Sequence, residues 1–551
     1  MKTNLINNLT NIHNITNKRF VLYILLAVCI AWSLWLRIPY IGVPILIVDE
    51  ALYAEIANVI LDGGLPYRDA WEQKPPAIYY LYASIFALFG RNNLTAVHWT
   101  AAITVAMTCL GLFLMISSIS TKIVAIISAF FYATLSSAGQ ASHFQAANTE
   151  IFSVFFCVWA LYIFLRKPSS NISIFISGAL ICAGFFFKQP AGMFLPVIIL
   201  HVFFTPGNTL PVRIKQSLIL ISGFISATLP VILYFMFHNA LDDFIMVGFW
   251  HNILYMKDND LRYGFYAAKN NISVFTKGNT VFYAPSILMF FYSLCRISKR
   301  TVAGLPVLTA DRLYAIWYPA SWVCVALGWR FEGHYFFFAL PAVAALSAHW
   351  WTCAFYNLSH KAMKGRIRAW LILALFAFGL FTCIKTHLGW SFTLERSYFV
   401  TLDPLKQKQT FIYHIAKYIY TNTTSSDKIF VWGFCPEIYI LSNRRTASRF
   451  IFCNFLIGQM TGDKYYYYDR QRFDRIIPGS WDKLMDDLHK NFPKFVIDTA
   501  PSNYFKYGKY PVTRFERLKT FLDKYYTYIG QISGTDVYKL DEKKFQHTTS
   551  Q

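Results

Sequence analysis

The stretch Val48-Asp49-Glu50-Ala51-Leu52-Tyr53-Ala54-Glu55 follows the first long apolar run, Phe20–Leu36. It continues into Gly63-Gly64-Leu65-Pro66-Tyr67-Arg68-Asp69-Ala70-Trp71-Glu72-Gln73-Lys74-Pro75-Pro76. Asp49-Glu50 opens a helical stretch, where a carboxylate caps free backbone N–H groups. Ala51, Ala54 and Ala57 give that helix a small face, and Gly63-Gly64 stops it. Lys74 precedes two prolines and is held extended. Six acids fall between Asp49 and Glu72. A purely structural loop rarely needs that density beside a membrane, so the cluster points to chemistry.

The membrane itself is read from composition. Of 551 residues, 55% are hydrophobic, 18% aromatic and only 15% charged, whereas soluble chains carry roughly 25% charge. Disorder, collagen and a small disulfide scaffold are excluded. Residues 1–390 hold 13 Asp/Glu against 27 Lys/Arg, and residues 391–551 hold 16 against 24. The first part therefore reads as membrane-embedded and the second as water-soluble. The net charge of +22 is assigned to cytoplasmic loops, which collect Lys/Arg, and not to nucleic acid. No small-residue cleavage site follows Phe20–Leu36, so it is a first span and not a signal peptide. Eight cysteines lie in apolar runs and read as small core residues. Cys435 and Cys453 lie in the soluble part and are candidates to pair.

A span needs about 20 apolar residues. Spans are expected near 20–37, 94–118, 123–138, 150–166, 171–187, 191–204, 217–237, 280–295, 313–329, 335–353 and 369–386, eleven in all. The run 75–90 contains Pro75-Pro76 and is assigned to the outer interface. Were it a span, Arg166-Lys167, Arg213, Lys215, Arg296, Lys299, Arg300 and the Lys361–Arg368 cluster would move outside, against the positive-inside rule. With this choice the inner side of residues 1–390 holds one acid, Asp311, and the outer side holds twelve.

The expected fold is thus an all-α polytopic membrane protein with a C-terminal α/β domain. A cytoplasmic segment covers 1–19, the transmembrane domain 20–390 with its first outer loop at 38–93, and the soluble domain 391–551. In that last domain, Ile429–Trp432, Phe495–Ile497 and Tyr526–Ile532 read as strands. Lys406–Tyr420, Trp481–Lys490 and Val512–Tyr525 read as amphipathic helices.

The Asp-Glu after the first span, the Gly-Gly-Leu-Pro-Tyr-Arg-Asp stretch and Lys74-Pro75-Pro76 resemble the GT-C membrane glycosyltransferases. The similar branch contains the protein O-mannosyltransferases, the lipid A aminoarabinose transferases and the Rgt-type lipopolysaccharide galacturonosyltransferases. The likeness is most specific over roughly residues 45–165. It resumes at Gly333-His334-Tyr335-Phe336 with Leu340-Pro341, and from Trp432-Gly433 through Arg449. It implies transfer of a sugar from a polyprenyl phosphate to an acceptor outside the cytoplasm. A bacterial inner membrane, with the C-terminal domain outside, is the implied setting. The catalytic Asp of the family falls on Asp49, and the Lys near the donor phosphate falls on Lys74.

Elementary chemistry converges on the same residues. Breaking the sugar–phosphate bond leaves a polyprenyl phosphate that gains negative charge, which fixed cations stabilise. Lys74, Lys188, Arg330 and His334 lie at outer span ends and are the donor-phosphate candidates. The acceptor needs a carboxylate to take its proton. Asp49 is the expected base, with Glu50 as its helper. Tyr53, Tyr67 and Glu150 are expected at the substrate. Each has a plainer alternative: helix caps for the acids, a snorkelling lysine at 188, belt aromatics for the tyrosines.

A divalent metal is the one candidate cofactor, with His251 and Glu72 as its candidate ligands. The triplet Asp258-Asn259-Asp260 is read as coincidental, because nucleotide sugars are absent from the outer side. Arg444, Arg445 and Arg449 belong to a segment that covers the site or meets the acceptor, or else form a solvated basic face. The expected partners are a polyprenyl-phosphate-linked sugar, membrane lipid and an envelope glycolipid, glycan or protein acceptor. A transporter or flippase of a lipid-linked glycan is the alternative. It would place charges near the bilayer midplane and show internal repeats, neither of which the sequence displays.

Overall fold

The computed structural model describes residues 19–257, 259–276, 278–303, 308–359, 374, 377, 380–381, 410–459 and 472–549. The expected span 369–386 and the basic cluster 361–368 lie largely or wholly outside these residues. Helix α1, Arg19–Trp35, is followed two residues on by Arg37. The buried Arg37 guanidinium donates to the carbonyls of Phe144 at 2.7 Å, Ser136 at 3.0 Å and Gln145 at 3.4 Å. A charge buried this deeply stays there only if its donors are satisfied. The pairing ties the end of the first helix to the loop 136–148.

Helix α2, Val48–Leu61, carries the Asp49-Glu50 pair in its first turn. Neither carboxylate is the expected cap. The residue preceding the helix is Ile47, which offers no capping side chain. Glu50 instead reaches back to the Leu46 N–H at 2.7 Å. Gly63, with φ of 88°, takes the left-handed conformation that ends the helix. After Pro75-Pro76 comes α3, Ala77–Phe89. Its 13 residues span roughly 20 Å at 1.5 Å per residue, short of a bilayer core of about 30 Å. Helix α3 packs on α2.

The remaining described helices of ten or more residues in this part are α4 (Leu94–Ile119), α5 (Lys122–Leu135), α6 (Thr149–Arg166), α7 (Asn171–Phe187), α8 (Phe194–Phe203), α9 (Leu210–Phe237), α10 (Leu261–Thr276), α11 (Thr280–Val302), α12 (Thr309–Ala326) and α13 (Leu340–Ser359). Among the described residues, five segments are long and apolar enough to cross a membrane: Phe20–Ile41, Leu94–Ile119, Thr149–Arg166, Leu210–Phe237 and Thr280–Val302. The protein is therefore an integral membrane protein. Helices α5, α7 and α8 match expected spans but are shorter than a full crossing.

Helices α7 and α9 touch backbone to backbone. A β-carbon added at Gly178 would overlap the carbonyl oxygen of Leu220, and one added at Gly223 would overlap that of Phe175. Small residues at such crossings allow the approach that drives helix association in lipid.

The C-terminal domain carries a five-stranded sheet in the order β2-β1-β3-β5-β4. Its strands are β1 (Lys428–Trp432), β2 (Arg445–Thr446), β3 (Phe495–Asp498), β4 (Tyr526–Ile532) and β5 (Thr535–Leu540). β1 runs parallel to β2 and β3, and β5 runs antiparallel to β3 and β4. Helices α14 (Phe411–Thr421), α15 (Glu437–Ser442), α16 (Ser480–Asn491) and α17 (Glu516–Tyr525) complete it. Cys435 and Cys453 do not pair; both are buried free thiols. Asp260 accepts the Tyr263 N–H at 2.8 Å and so starts α10; Asp258, the first member of the triplet, lies outside the described residues.

The glycine contact makes a prediction. Gly223→Ala should force α7 and α9 apart and destabilise the protein by about 2 kcal/mol, read as a lowered Tm in detergent. An unchanged Tm would refute the close contact.

Candidate active site

A cavity of about 1180 Å³ opens between the segment 38–93, further loops between the helices and the C-terminal domain. From the segment 38–93 it is lined by Asp49, Glu72, Gln73 and Lys74; from the other segments by Gln140, Ser142, His143, Lys188, Gln189, Asn252, Asn271, Arg330, Glu332, His334 and Tyr335. Phe434, Glu437, Asn454, Tyr504, Phe505 and Lys506 are among the C-terminal residues that close it.

Lys74 organises one side. Its ammonium lies 3.1 Å from Asp49 and 3.4 Å from Glu72, and 5.0 Å above the Tyr53 ring. The extended backbone before the prolines is fixed twice: the Lys74 carbonyl accepts from the Tyr67 hydroxyl at 2.6 Å, and its N–H donates to Glu72 at 2.7 Å. Tyr79 also bonds Glu72. Burial pushes the Asp49 carboxyl up, but Lys74, His334 and Lys188 outweigh it and hold the pKa below the ordinary range. Burial likewise disfavours the Lys74 charge, yet Asp49 and Glu72 raise its pKa overall. Both groups are therefore ionised at neutral pH.

Lys188 organises a second group. It lies 3.0 Å from Glu150 and 4.6 Å above the Tyr335 ring. Glu150 is fully buried behind it. Burial would strip the Lys188 charge, and Glu150 restores it. His334 Nε2 is 3.9 Å from the same carboxylate, and its Nδ1 is 3.1 Å from Nδ1 of His143. Two ring nitrogens that close share one proton. Burial depresses both imidazoles, His143 to about 4. His334 is thus neutral here, and not the fixed cation expected of it. Arg330 reaches the wall between Trp329 and Phe331, both left-handed with φ of 56° and 53°, a costly backbone that recurs at functional sites.

Several expected site residues stand behind the wall. Glu50 is fully buried and accepts from Leu46 N, from Ala147 N at 2.8 Å and from His98 at 3.0 Å. It binds α2 to its neighbours and does not border the cavity. Tyr53 and Tyr67 are buried beneath Lys74 and hold the loop; Glu150 orients Lys188. These corrections share one cause: a charged or polar group at the wall needs a buried partner, and those partners come from the same loops.

Two other acids of the first loop, Glu55 and Asp62, bind the C-terminal domain. Glu55 accepts the Thr446 N–H at 2.8 Å and lies 3.8 Å from Arg445. Asp62 pairs with Arg445 at 3.2 Å and with Arg91 at 2.6 Å. The Trp71 N–H donates to the Arg449 carbonyl at 2.8 Å, and its ring packs on Phe450. Arg449 is forked onto Asp487, and Arg444 caps the carbonyls of Tyr420, Thr423 and Ser442. The three arginines are structural and do not line the cavity.

A resident divalent ion does not fit the donor set. Asp49 and Glu72 bracket Lys74, His251 packs against the Phe455 ring, and no group of three metal-ligating side chains occurs among the described residues. His143, Glu332 and Glu437 border the cavity without having been singled out, and Glu72, expected as a metal ligand, borders it as the partner of Lys74. Glu72 had the signal of standing two residues before Lys74; a lone His143 in a loop had none.

Comparison with known proteins supplies the class. Residues 73–235 match the family described as dolichyl-phosphate-mannose-protein mannosyltransferase. Comparison with curated protein sequences finds no match. Among solved structures, the oligosaccharyltransferase of Archaeoglobus fulgidus, tethered to an acceptor peptide, is similar with a TM-score of 0.55 and 14% identity over 96% of this chain and 74% of that one. The same archaeal enzyme, AglB, solved with an inhibitory peptide and a dolichol-phosphate, gives 0.53 and 14% over 96% and 75%. ArnT from Cupriavidus metallidurans, bound to undecaprenyl phosphate, gives 0.54 and 12% over 96% and 99%. The fold is that of the GT-C membrane glycosyltransferases, as the first loop suggested.

Glu55 generates a pH prediction. Burial drives its carboxyl up to about 7, against the lowering effects of Arg445, the Thr446 N–H and Asn58, with Asp62 adding to the rise. The folded pKa lies above the unfolded value, so its stabilising contribution is full below about 4.5 and is lost as pH rises through about 7. Deuterium uptake at 445–449, corrected for intrinsic exchange, should rise over that window and flatten in Glu55→Gln. Uptake that ignores pH in the native protein would show the carboxyl to be ordinary.

Proposed function

We propose that the protein transfers a sugar from a polyprenyl-phosphate donor to an acceptor outside the cytoplasm, with inversion at the sugar carbon. The observation that carries this is an ionised Asp49 on the wall of a large cavity that also presents Lys74, Lys188 and Arg330. The family match to a dolichyl-phosphate-mannose transferase and the polyprenyl phosphates bound in the similar AglB and ArnT structures support the same reading.

Each residue then has a task. The acceptor oxygen or nitrogen attacks C1 of the sugar, and its proton passes to Asp49. The C1–oxygen bond breaks, and its electron pair stays on the polyprenyl phosphate. Lys74, Lys188 and Arg330 stabilise the charge that builds there. Arrival of the phosphate raises the His334 pKa, so its neutral imidazole can take up a proton and become a further donor. Glu72 keeps Lys74 charged and aimed, and Glu150 does the same for Lys188. Glu50 acts on position alone. The acceptor classes consistent with the site are an envelope glycolipid such as lipid A, another envelope glycan or a protein. The setting is a bacterial inner membrane with the C-terminal domain outside.

Asp49→Asn should lower transfer in membranes supplied with a polyprenyl-phosphate sugar by on the order of 10²–10⁴-fold, in a protein that still folds because Glu72 continues to pair Lys74. Full transfer by a folded Asp49→Asn protein removes Asp49 from the reaction. A topology reporter fused at residue 551 should read outside; a cytoplasmic signal refutes the orientation.

A further inference from the structure

The C-terminal domain presents to the cavity a wall unlike the cationic one. Phe434, Phe452, Tyr504 and Phe505 supply aromatic surface, and Glu437 and Asn454 stand among them. Phe434 meets Phe452 and Phe505 edge-on, with ring centroids 5.3 Å apart in each case. Tyr504 and Phe505 stand 4.5 Å apart. Glu437 opens α15 and is only 6% exposed. One of its oxygens lies 3.4 Å from the Tyr504 hydroxyl, and the other has no hydrogen-bond partner among the described residues. A buried carboxylate oxygen left unpaired at a cavity wall is costly unless a ligand supplies the missing donor. The segment carrying Tyr504 is also held in an unfavourable shape. Asn503, Phe505 and Lys506 all take left-handed φ, at 51°, 48° and 57°.

We infer that this wall binds the acceptor and that the acceptor is a saccharide. The inference rests on the glycosyl-transfer reading of the cavity. A pyranose ring has an apolar C–H face and a rim of hydroxyl donors. Aromatic rings with an acceptor carboxylate and an amide between them match both surfaces. An extended peptide would look for a free strand edge. Edge strand β2 is occupied by the Glu55 contact, and no residue of edge strand β4 borders the cavity. A saccharide hydroxyl held by Glu437 and Asn454 gives its oxygen to C1 of the donor sugar. Its proton goes to Asp49, and the bond to the polyprenyl phosphate breaks.

The test is saturation-transfer NMR on the full-length protein in nanodiscs. The probes are a core oligosaccharide released from lipopolysaccharide by mild acid and a Ser/Thr-rich 15-residue peptide. Sugar ring protons should be saturated by the native protein. Affinity should fall at least tenfold in Glu437→Gln and fall measurably in Tyr504→Phe, which guards against a folding defect in the first variant. Saturation of the peptide instead, equal oligosaccharide affinity in the folded variants, or no saturation of either probe would overturn the inference. Undecaprenyl phosphate binding, read as a thermal shift, separates the two levels. If it stabilises the native protein while the saccharide result fails, only the acceptor assignment is lost. If undecaprenyl phosphate gives no shift, the donor reading fails as well.

Discussion

The Asp49–Lys74 ion pair is the interaction on which the site depends. Taking either charge out of water alone costs several kcal/mol, and each is made tolerable by the other. Lys74 is further fixed by Glu72, Tyr53, Tyr67 and Tyr79, so the pair sits in a frame that the loop builds from its own side chains. The result is an acid that stays ionised although buried, which is the state a proton acceptor must hold before its substrate arrives. Lys188 with Glu150 repeats the arrangement from other helices. The cavity is therefore charged on one side by paired groups whose partners lie one layer back.

Much of this was legible in the sequence, and for a physical reason. The first outer loop is contiguous, so Asp49 and Lys74 appear together in one motif, as does the reason for the extended backbone at Lys74. Strands β1, β3 and β4 were legible as β-branched and aromatic runs. Strand β5 was missed, although Ser533-Gly534, both left-handed, mark the turn before it. The two-residue strand β2 is too short for any pattern and exists because β1 and the first loop hold it.

What was not legible is pairing across distance. Six acids in one loop look alike in a sequence, but only Asp49 and Glu72 border the cavity. Glu50, Glu55, Asp62 and Asp69 serve the loop and its neighbours: Glu50 braces α2, Glu55 and Asp62 hold Arg445, and Asp69 accepts the Leu65 N–H at 2.8 Å. Likewise Glu150 and the buried tyrosines look functional because they are polar in an apolar chain. Their work is to keep other groups charged and aimed. His334 was expected to be cationic, but burial, with the Lys188 charge beside it, holds it neutral, and neither is visible in its local sequence.

Helix α2 carries Asp49 in its first turn, Glu55 in its middle and Asp62 just past its end. It thus works as a rod that sets the bearing of the C-terminal domain relative to Asp49. Each helical residue turns the rod by about 100°. An inserted or deleted residue between positions 49 and 55 would swing the Arg445 anchor most of a third of a turn away, and the aromatic wall with it. The six-residue interval between these two acids is therefore a gauge length of the fold.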